Sequence, residues 1–343
     1  PGNGLFGESI VAVDLKTGKR KWHYQLVHHG LWDFDIPCAP ILVDITVNGK
    51  PVKALAQPTK QSILYVLDRA TGQPIWPIEE RPVPKGDVPG EWYSPTQPIP
   101  TKPPAYGRNG MSVDQLIDFT PDLRKQAEQL ASRYKLGPIF TPPSASKPEG
   151  PLGTLLIGCC QGGTTWAGGA FDPATHILYT YVKHDIGSLG LIVPDKARSD
   201  MNYVRGVAGA PAGPLNIQGL PLVKPPYGSI AAIDMDKGEI LWQVPHGETP
   251  DNVRNHPLLK GLNIPRTGRS GNIGVVTTST LLISGEAGFI TNDKGQRGAY
   301  LRAYDKKNGQ DAGAVWMPAG QTGSPMTYML NGKQYVEIGR AHV

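Results

Sequence analysis

Three segments of the chain repeat one pattern, in which an aspartate is followed by a glycine four residues later and a tryptophan eight residues later. The three sets are Asp14, Gly18 and Trp22; Asp68, Gly72 and Trp76; and Asp234, Gly238 and Trp242. The apolar run before each aspartate predicts a strand, the glycine predicts a turn that needs positive φ, and the tryptophan predicts a second strand. One such hairpin cannot bury its own apolar face, so the repeats must pack on one another around an axis or along a line.

Two further copies of the pattern are less regular. One keeps Asp305 and Gly309 but delays Trp316 to eleven residues after the aspartate. The other keeps Asp172 and has His176 at the glycine position. Irregular insertions separate the copies, which favours the blades of a β-propeller over a regular solenoid. We therefore predict an all-β propeller in which the tryptophans of the three regular repeats lie buried at equivalent places on successive blades.

The composition agrees with many short strands and one exception. The 343 residues include 42 glycines and 34 prolines, more than a fifth of the chain, where about 12% is usual. Residues 111–135 instead carry apolar and small side chains at helical spacing, with Thr120 and Pro121 placed as N-cap and first helical residue. We predict a helix near 120–135, inside an insertion that spans 77–150 and begins with a proline-rich stretch.

Charge and cysteine usage exclude several functional classes. The chain has 34 basic and 29 acidic residues without a long basic run, so we predict no nucleic-acid partner. No apolar run approaches the roughly 18 residues that a membrane span needs. Cys38, Cys159 and Cys160 fit neither a zinc motif nor a haem-attachment motif. The adjacent pair allows a vicinal disulfide in an oxidising compartment, and two buried thiols are the expected alternative.

The segment LVHHGLWDFDIP, residues 26–37, concentrates acidic, aromatic and histidine side chains. If it is a strand, Asp33 and Asp35 point to the same face and place two carboxylates side by side. Like charges at that distance raise a pKa unless a cation or a proton lies between them. A buried site would therefore need a cation partner, whereas a solvated surface turn would not.

Several longer segments resemble one enzyme family. The repeat frame AxDxxTGxxxW and the segments HHGLWDFDIPCAP, QPTKQSILYVLDRATGQPIW, TTWAGGAFDPAT and AGQTGSPMTYMLNGKQYV are similar to those of pyrroloquinoline quinone (PQQ) dehydrogenases, in particular the membrane glucose/quinate-type branch. The resemblance implies a partial eight-bladed β-propeller with tryptophan-docking repeats, in which residues 1–336 form the C-terminal portion of the propeller. Residues 337–343, EIGRAHV, depart from the family and are expected to be a non-native tail.

The resemblance implies roles for three residues of two segments. Asp33 matches the family's catalytic base, which takes the alcohol proton beside a divalent metal, Ca²⁺ or Mg²⁺. Lys60 matches the lysine that the glucose-type branch places on the quinone. Asp35 is predicted either to support Asp33 or to bind the metal with it, as the extra ligand of lanthanide-using methanol dehydrogenases does. One departure from the family is Gly30, where aspartate is more frequent.

Four further residues are implied as cofactor contacts. They lie in two blocks that approach the central channel in relatives, Thr165 and Trp166, and Gly271 and Asn272. His28 and His29 are predicted to be hydrogen-bonded strand residues and not metal ligands, because Ca²⁺ prefers oxygen donors. The family's other metal ligands and its stacking tryptophan lie upstream of the matching segments, so we expect this chain alone to be inactive.

The resemblance implies a quinoprotein dehydrogenase that oxidises a sugar, a polyol or another alcohol and passes electrons to ubiquinone or a cytochrome c. Such an enzyme acts in the periplasm or on the periplasmic face of the inner membrane, here with membrane contact only through an N-terminal part outside this chain. Two alternatives remain open. A cofactor-free propeller scaffold of the cell envelope would have no use for the pair of Asp33 and Lys60. A methanol- or ethanol-type relative would usually have arginine at the position of Lys60.

Overall fold

Strands make up most of the protein. The computed structural model describes residues 2–209 and 213–339. In these ranges the strands are, in chain order, Ser9–Val13 (β1), Arg20–Gln25 (β2), Ile41–Val47 (β3), Lys50–Pro58 (β4), Leu64–Asp68 (β5), Ile78–Pro82 (β6), Thr96–Pro100 (β7), Ser144–Ala145 (β8), Thr154–Ile157 (β9), Gly169–Asp172 (β10), Ile177–Lys183 (β11), Ile186–Ile192 (β12), Val204–Arg205 (β13), Asn216–Ile217 (β14), Leu220–Pro221 (β15), Gly228–Asp234 (β16), Glu239–Pro245 (β17), Val276–Thr277 (β18), Leu281–Gly285 (β19), Ile290–Thr291 (β20), Arg297–Asp305 (β21), Asp311–Met317 (β22), Met326–Leu330 (β23) and Lys333–Glu337 (β24). The helices in the same ranges are Pro121–Ala131 (α1) and Asp251–Arg254 (α2), with 3₁₀ turns at Val113–Gln115 and Pro257–Leu259. Neither described helix is long and apolar enough to cross a membrane.

The repeats form antiparallel sheets of the kind that make propeller blades. One sheet contains β3, β4 and β5, a second contains β10, β11, β16 and β17, and a third contains β18, β19, β21 and β22. The hairpins β1–β2 and β23–β24 precede and follow these sheets in the chain. The irregular copy at Asp172 is not a separate blade, because its hairpin β10–β11, with His176 at φ +55°, shares the sheet of the Trp242 repeat. The all-β prediction is confirmed.

Each regular repeat packs its tryptophan on the turn glycine of the repeat that follows. The pairs, with the distance from the ring to a Cβ built on the glycine, are Trp22 and Gly72 (2.6 Å), Trp76 and Gly238 (3.1 Å), and Trp242 and Gly309 (2.7 Å). A real Cβ at these distances would force the ring or the turn to shift, so glycine lets the indole lie directly against the turn. The three contacts therefore join four successive repeats.

The same tryptophans are half-buried, which differs from the full burial that we predicted. Trp22 donates its indole N–H to Arg69 O at 3.3 Å, and Trp242 donates to Lys306 O at 3.1 Å. Both carbonyls belong to the turn that the ring contacts, and turns lie at the solvent-covered ends of strands. The tryptophans are thus placed equivalently, but each ring keeps an edge in solvent.

The aspartate of each repeat holds its own turn together. Asp14 Oδ1 accepts hydrogen bonds from the backbone N–H groups of Lys16 and Thr17, at 3.1 and 3.0 Å. The carboxylates of Asp68 and Asp234 accept from the same two positions of their turns. A short acidic side chain that caps the turn amides explains why aspartate, and not a larger residue, recurs at this position.

The insertion brings its own apolar cluster. Thr120 caps helix α1 by accepting the N–H of Leu123 at 3.2 Å, as predicted. The helix ends at Ala131, earlier than the predicted range near 120–135. Leu123 and Ala127 pack in one cluster with Leu155 of β9, which ties the helix to the sheets. The insertion bounds 77–150 remain a prediction.

The predicted tail falls only partly within the described residues. Glu337 still pairs with Met326 as the last residue of β24. Residues 340–343 of the predicted tail lie outside the described residues. The non-native origin of 337–343 therefore stays a prediction.

We predict that Gly309→Ala destabilises the protein more than Gly18→Ala. Both glycines occupy the same turn position, at φ +72° and +67°, so either variant strains a left-handed alanine by about 1–2 kcal/mol. A Cβ at Gly309 also overlaps the Trp242 ring, which should add about 1–3 kcal/mol, whereas a Cβ at Gly18 meets no described atom within 4 Å. Urea unfolding of both variants measures the difference. Equal losses of stability would show that the indole contact does not hold the repeats together.

Candidate active site

The segment that carries Asp33 is a loop and not the strand that the sequence suggested. β2 ends at Gln25 and β3 begins at Ile41, and the residues between them, all described, form no regular element. Asp33 takes φ +60°, in the left-handed region, so the backbone bends at this residue. The carboxylates of Asp33 and Asp35 therefore meet because the backbone turns at Asp33. They do not meet because residues two apart on a strand share a face. The two preceding histidines are likewise loop residues, which corrects our prediction of a strand.

Two aromatic side chains fix this loop by burying themselves on either side of Asp33. The rings of Trp32 and Phe34 are buried and lie 5.3 and 5.7 Å from the ring of Phe140, between centroids. Trp32 also donates its indole N–H to Thr141 O at 2.8 Å. Because the aromatic residues point inward, the carboxylate between them stays open to solvent, with the Asp33 side chain 56% exposed.

A lysine lies between the two carboxylates. Lys60 comes two residues after β4, and its side chain is 9% exposed. Its Nζ lies 3.3 Å from Asp33 Oδ1, donates to Asp33 O at 3.1 Å and donates to Asp35 Oδ1. The ammonium group supplies the cation that two adjacent carboxylates require. The structure thus brings together Asp33, Asp35 and Lys60, while their roles in catalysis remain predictions.

The pKa values of the two carboxyl groups shift in opposite directions. Burial and the hydrogen bond shared with Asp35 raise the pKa of the Asp33 carboxyl, and the Lys60 ammonium offsets this only in part. Burial also disfavours the charged form of Asp35, but hydrogen bonds from Lys60 and Asp33 outweigh it and lower the Asp35 pKa. Asp35 is therefore the carboxylate that more readily keeps its charge beside Lys60, and Asp33 is the one that more readily takes a proton.

A second lysine lies beside the predicted cofactor residue Asn272. Lys183 ends β11, is buried, donates to Asn272 Oδ1 at 2.8 Å and lies 3.5 Å from Asp185 Oδ2. Thr165 donates to the same amide oxygen at 3.1 Å, so two predicted cofactor residues touch. Burial lowers the pKa of Lys183, and the Asp185 carboxylate offsets only part of that effect. Sequence reasoning missed Lys183, although its place at the end of an apolar strand resembles that of Lys60.

The other two predicted cofactor residues, Trp166 and Gly271, lie in different surroundings. Trp166 follows Thr165 and is 61% exposed, which leaves a flat aromatic surface open to solvent. A Cβ at Gly271 would lie 2.0 Å from Ala287 Cβ, so glycine at this position is required by packing. The cofactor contact through the Gly271 backbone stays a prediction.

A further acidic residue explains the departure at Gly30. A Cβ built on Gly30 would lie 1.8 Å from Glu8 Oε1, so the carboxylate of Glu8 fills the space that a side chain at position 30 would need. Burial and the neighbouring charge of Asp35 raise the pKa of Glu8. No sequence pattern predicts this contact, because Glu8 precedes β1 and belongs to no motif.

The adjacent cysteines line a cavity of about 530 Å³ beside the Asp33 loop. Their Sγ atoms lie 3.1 Å apart as free thiols, and the Cys160 N–H donates to Trp32 O at 3.5 Å. Cys159 is buried but Cys160 is half-buried, so the prediction of two buried thiols is right only for Cys159. The hydrogen bond with Cys159 and the charge of Arg205 lower the pKa of Cys160 to about 7, whereas burial raises that of Cys38 to about 12.

Comparison with known sequences and structures establishes the class. The family described as "PQQ: Glucose/ethanol/alcohol dehydrogenase, beta-propeller domain" matches residues 1–336. The chain therefore belongs to this family of quinoprotein β-propellers, which confirms the resemblance found in the sequence. The crystal structure of quinohemoprotein alcohol dehydrogenase from Comamonas testosteroni is similar in fold, with a TM-score of 0.56 and 22% identity over 99% of this chain and 39% of that one.

The more similar sequences are dehydrogenases named for quinate and shikimate, for glycerol and for glucose. Quinate/shikimate dehydrogenase (quinone) of Acinetobacter baylyi is 32% identical over 97% of this chain and 42% of its own length. The glycerol dehydrogenase large subunit of Gluconobacter oxydans is 33% identical over 98% and 47%, and quinoprotein glucose dehydrogenase of Escherichia coli is 32% identical over 98% and 42%. The chain thus spans less than half the length of these curated relatives.

The described residues fit a PQQ site in part. Ammonium, hydroxyl and amide groups with an open indole ring suit a planar cofactor that carries carboxylates and carbonyl oxygens. These groups belong to Lys60, Lys183, Thr165, Asn272 and Trp166. The same residues do not complete a metal site, because no three His, Cys, Asp or Glu side chains of the described ranges are grouped to hold an ion. Two carboxylates supply only part of the roughly six to eight oxygens that Ca²⁺ takes.

We predict that Cys160 is the most reactive thiol of the protein. With a pKa of about 7, it should react about tenfold faster with iodoacetamide at pH 8 than at pH 6, because the thiolate is the nucleophile. Cys38 should stay unlabelled at both pH values, since burial raises its pKa and blocks access. Mass spectrometry of the labelled peptides gives the rates. Labelling of Cys38 first, or a rate for Cys160 that does not change with pH, would contradict the geometry of the thiol pair.

Proposed function

We propose that this chain supplies part of the active site of a PQQ-dependent dehydrogenase that oxidises an alcohol, a polyol or a sugar. The observation that carries the proposal is the contact of the buried Lys60 ammonium with the exposed carboxylates of Asp33 and Asp35. Quinate, shikimate, glycerol and glucose, which name the relatives, all present hydroxyl groups on carbon. A carboxylate open to solvent next to a buried cation is suited to taking a proton from such a hydroxyl group.

Asp33 is the proposed base. Its raised pKa brings the carboxylate closer to the pH at which it works, and its exposure lets it pass the proton on to solvent. Asp35 keeps its charge and holds Lys60 in place beside it. When bound, PQQ supplies the acceptor for the hydride, so the residues of this chain have only the proton to move.

Lys60 is the proposed cofactor residue nearest to the base. Its ammonium group would face the quinone oxygen and stabilise negative charge there, an effect that is strong because the side chain is shielded from water. Thr165 and Asn272 would hold the cofactor by hydrogen bonds and Trp166 by its open ring face, with the backbone of Gly271 alongside. Lys183 would orient Asn272, since it binds the amide oxygen directly.

The metal, the electron acceptor and the location belong to the proposal as well. We infer that Asp33 and Asp35 give two oxygens to Ca²⁺ or Mg²⁺ and that the remaining oxygens come from outside the described residues, so no step is assigned to the metal. Ubiquinone or a cytochrome c is the proposed acceptor, and one relative carries the word quinone in its name. The proposed location is the periplasm or the periplasmic face of the inner membrane.

Asp33→Asn tests the base. In an enzyme that contains this chain and has the full length of its relatives, we expect the rate of alcohol oxidation with added PQQ to fall by about 10²–10⁴-fold. The fold should persist, because the amide has the size of the carboxylate and its oxygen can still accept from Lys60. Asp44→Asn is the matched control, since it changes the same charge on an exposed strand residue that pairs with Arg69. Full activity of Asp33→Asn would remove Asp33 from the mechanism.

Lys60→Ala tests the cofactor contact. We expect weaker PQQ binding together with a loss of transition-state stabilisation of about 3 kcal/mol, because the variant deletes a buried charge that faces the quinone. Lys53→Ala, an exposed lysine of β4, is the control. Reconstitution with increasing PQQ separates the two effects, since a binding defect alone is overcome at high PQQ. Unchanged PQQ affinity and rate would show that Lys60 serves only to pair the carboxylates.

A further inference from the structure

The two histidines that begin the Asp33 loop each have an acceptor at both ring nitrogens. His28 Nδ1 lies 2.7 Å from Gln25 Oε1, and its Nε2 lies 2.9 Å from Glu80 Oε1. The Gln25 oxygen is the acceptor, because its Nε2 already donates to backbone carbonyls including Asn3 O at 2.8 Å. Both ring nitrogens of His28 therefore lie within hydrogen-bond distance of an acceptor oxygen, one from a neighbouring residue and one from β6.

His29 repeats this arrangement with different partners. Its Nδ1 lies 2.8 Å from Gly2 O and its Nε2 lies 2.9 Å from Glu91 Oε1. The ring of Trp92 also packs edge-on against it, at 4.9 Å between centroids. Glu91 and Trp92 lie in the turn between β6 and β7, so an element outside the repeats reaches the Asp33 loop.

β6 and β7 pair as an antiparallel hairpin, which also binds the backbone of the loop. Gln97 of β7 accepts the His28 N–H with its Oε1 at 2.8 Å and donates its Nε2 to His28 O at 2.7 Å. Gln97 is fully buried, so both amide bonds are shielded from water. Together with Glu80 on β6 and Glu91 in the turn, the hairpin therefore contacts the loop at three points.

These contacts add to the ones that already hold Asp33, which are the hydrogen bonds from Lys60 and the buried rings of Trp32 and Phe34. The backbone of Asp33 bends at positive φ, and its side chain is more than half exposed. Trp32 and Phe34 anchor one side of the loop on Phe140. The hairpin holds the other side, four and five residues before Asp33. A shift of about 1 Å in a reacting group is enough to cost about 10²-fold in rate.

We propose that the β6–β7 hairpin positions Asp33 by holding His28 and His29, which makes Glu80, Glu91 and Gln97 positioning residues for the oxidation. This inference rests on the proposed function for its consequence in catalysis, but the holding of the loop is independent of it. The residues involved come from β6, β7 and the turn between them, and the inference assigns a use to the proline-rich insertion.

The test compares three double or single variants of the full-length enzyme. Glu80→Ala with Glu91→Ala removes both carboxylates, and Glu80→Gln with Glu91→Gln keeps an oxygen acceptor at each site. Glu79→Ala is the control, because Glu79 precedes Glu80 on β6, points to the opposite face and pairs with Arg81. Hydrogen exchange of peptides covering 26–37 is followed by mass spectrometry without PQQ, and kcat and KM are measured with PQQ.

In the double alanine variant we expect exchange in 26–37 to accelerate at least about tenfold while β3–β5 and β10–β11 stay protected. We expect kcat to fall about 10- to 100-fold with KM nearly unchanged, because the variant displaces the base and not the substrate. The glutamine variant and Glu79→Ala should resemble the unmodified enzyme in both measurements.

Three results would overturn the inference. Unchanged exchange in 26–37 would show that the hairpin does not hold the loop, and equal acceleration in every sheet would show a general loss of stability. A local acceleration with unchanged kcat would show that the hairpin holds the loop without positioning the base. If the unmodified enzyme oxidises no alcohol with PQQ, the proposed function fails, while the exchange data still decide whether the hairpin holds the loop.

Discussion

The packing of each tryptophan on the turn glycine of the next repeat sets the relation between sheets on which the rest of the structure depends. It joins four repeats through three similar contacts, in which an indole lies where a side chain would not fit. Once neighbouring sheets are fixed in this way, the ends of their strands are fixed as well. Lys60 after β4 and Lys183 at the end of β11 are close enough for the charge of one to act on the other. The contact between each tryptophan and the next turn glycine therefore determines where polar side chains from distant parts of the sequence lie close together.

The candidate site combines a buried ammonium group with two exposed carboxylates. Lys60 gives up most of its contact with water, and two carboxylates that stay solvated compensate its charge. Because the carboxylates share one cation, their proton affinities separate, and one of them is free to titrate. The buried rings of Trp32 and Phe34 hold the loop so that the carboxylates of Asp33 and Asp35 stay exposed. The charge pattern is thus a property of the loop conformation as much as of the residues.

The sequence predicted what depends on short spacings. The Asp14, Asp68 and Asp234 turns follow from offsets of four and eight residues, and Thr120 marked the start of α1 for the same reason. The pairing of Asp33 with Lys60 came from the family resemblance. The bonds from His28 to Glu80 and from His29 to Glu91 span 52 and 62 residues and carry no local signal. The left-handed bend at Asp33 was also missed, because aspartate adopts both extended and left-handed backbone and the contacts of its neighbours Trp32 and Phe34 are with Phe140, far away in the sequence.

The most direct test of the account is a structure of the full-length enzyme with PQQ bound. We predict that the Lys60 ammonium lies within hydrogen-bond distance of a quinone oxygen and that an Asp33 oxygen lies about 3–3.5 Å from the position of a substrate hydroxyl group. Thr165, Trp166 and Asn272 should contact the same cofactor. A cofactor bound elsewhere, with Lys60 still paired to Asp33 and Asp35 at a distance from it, would contradict the account and leave this cluster a structural ion pair.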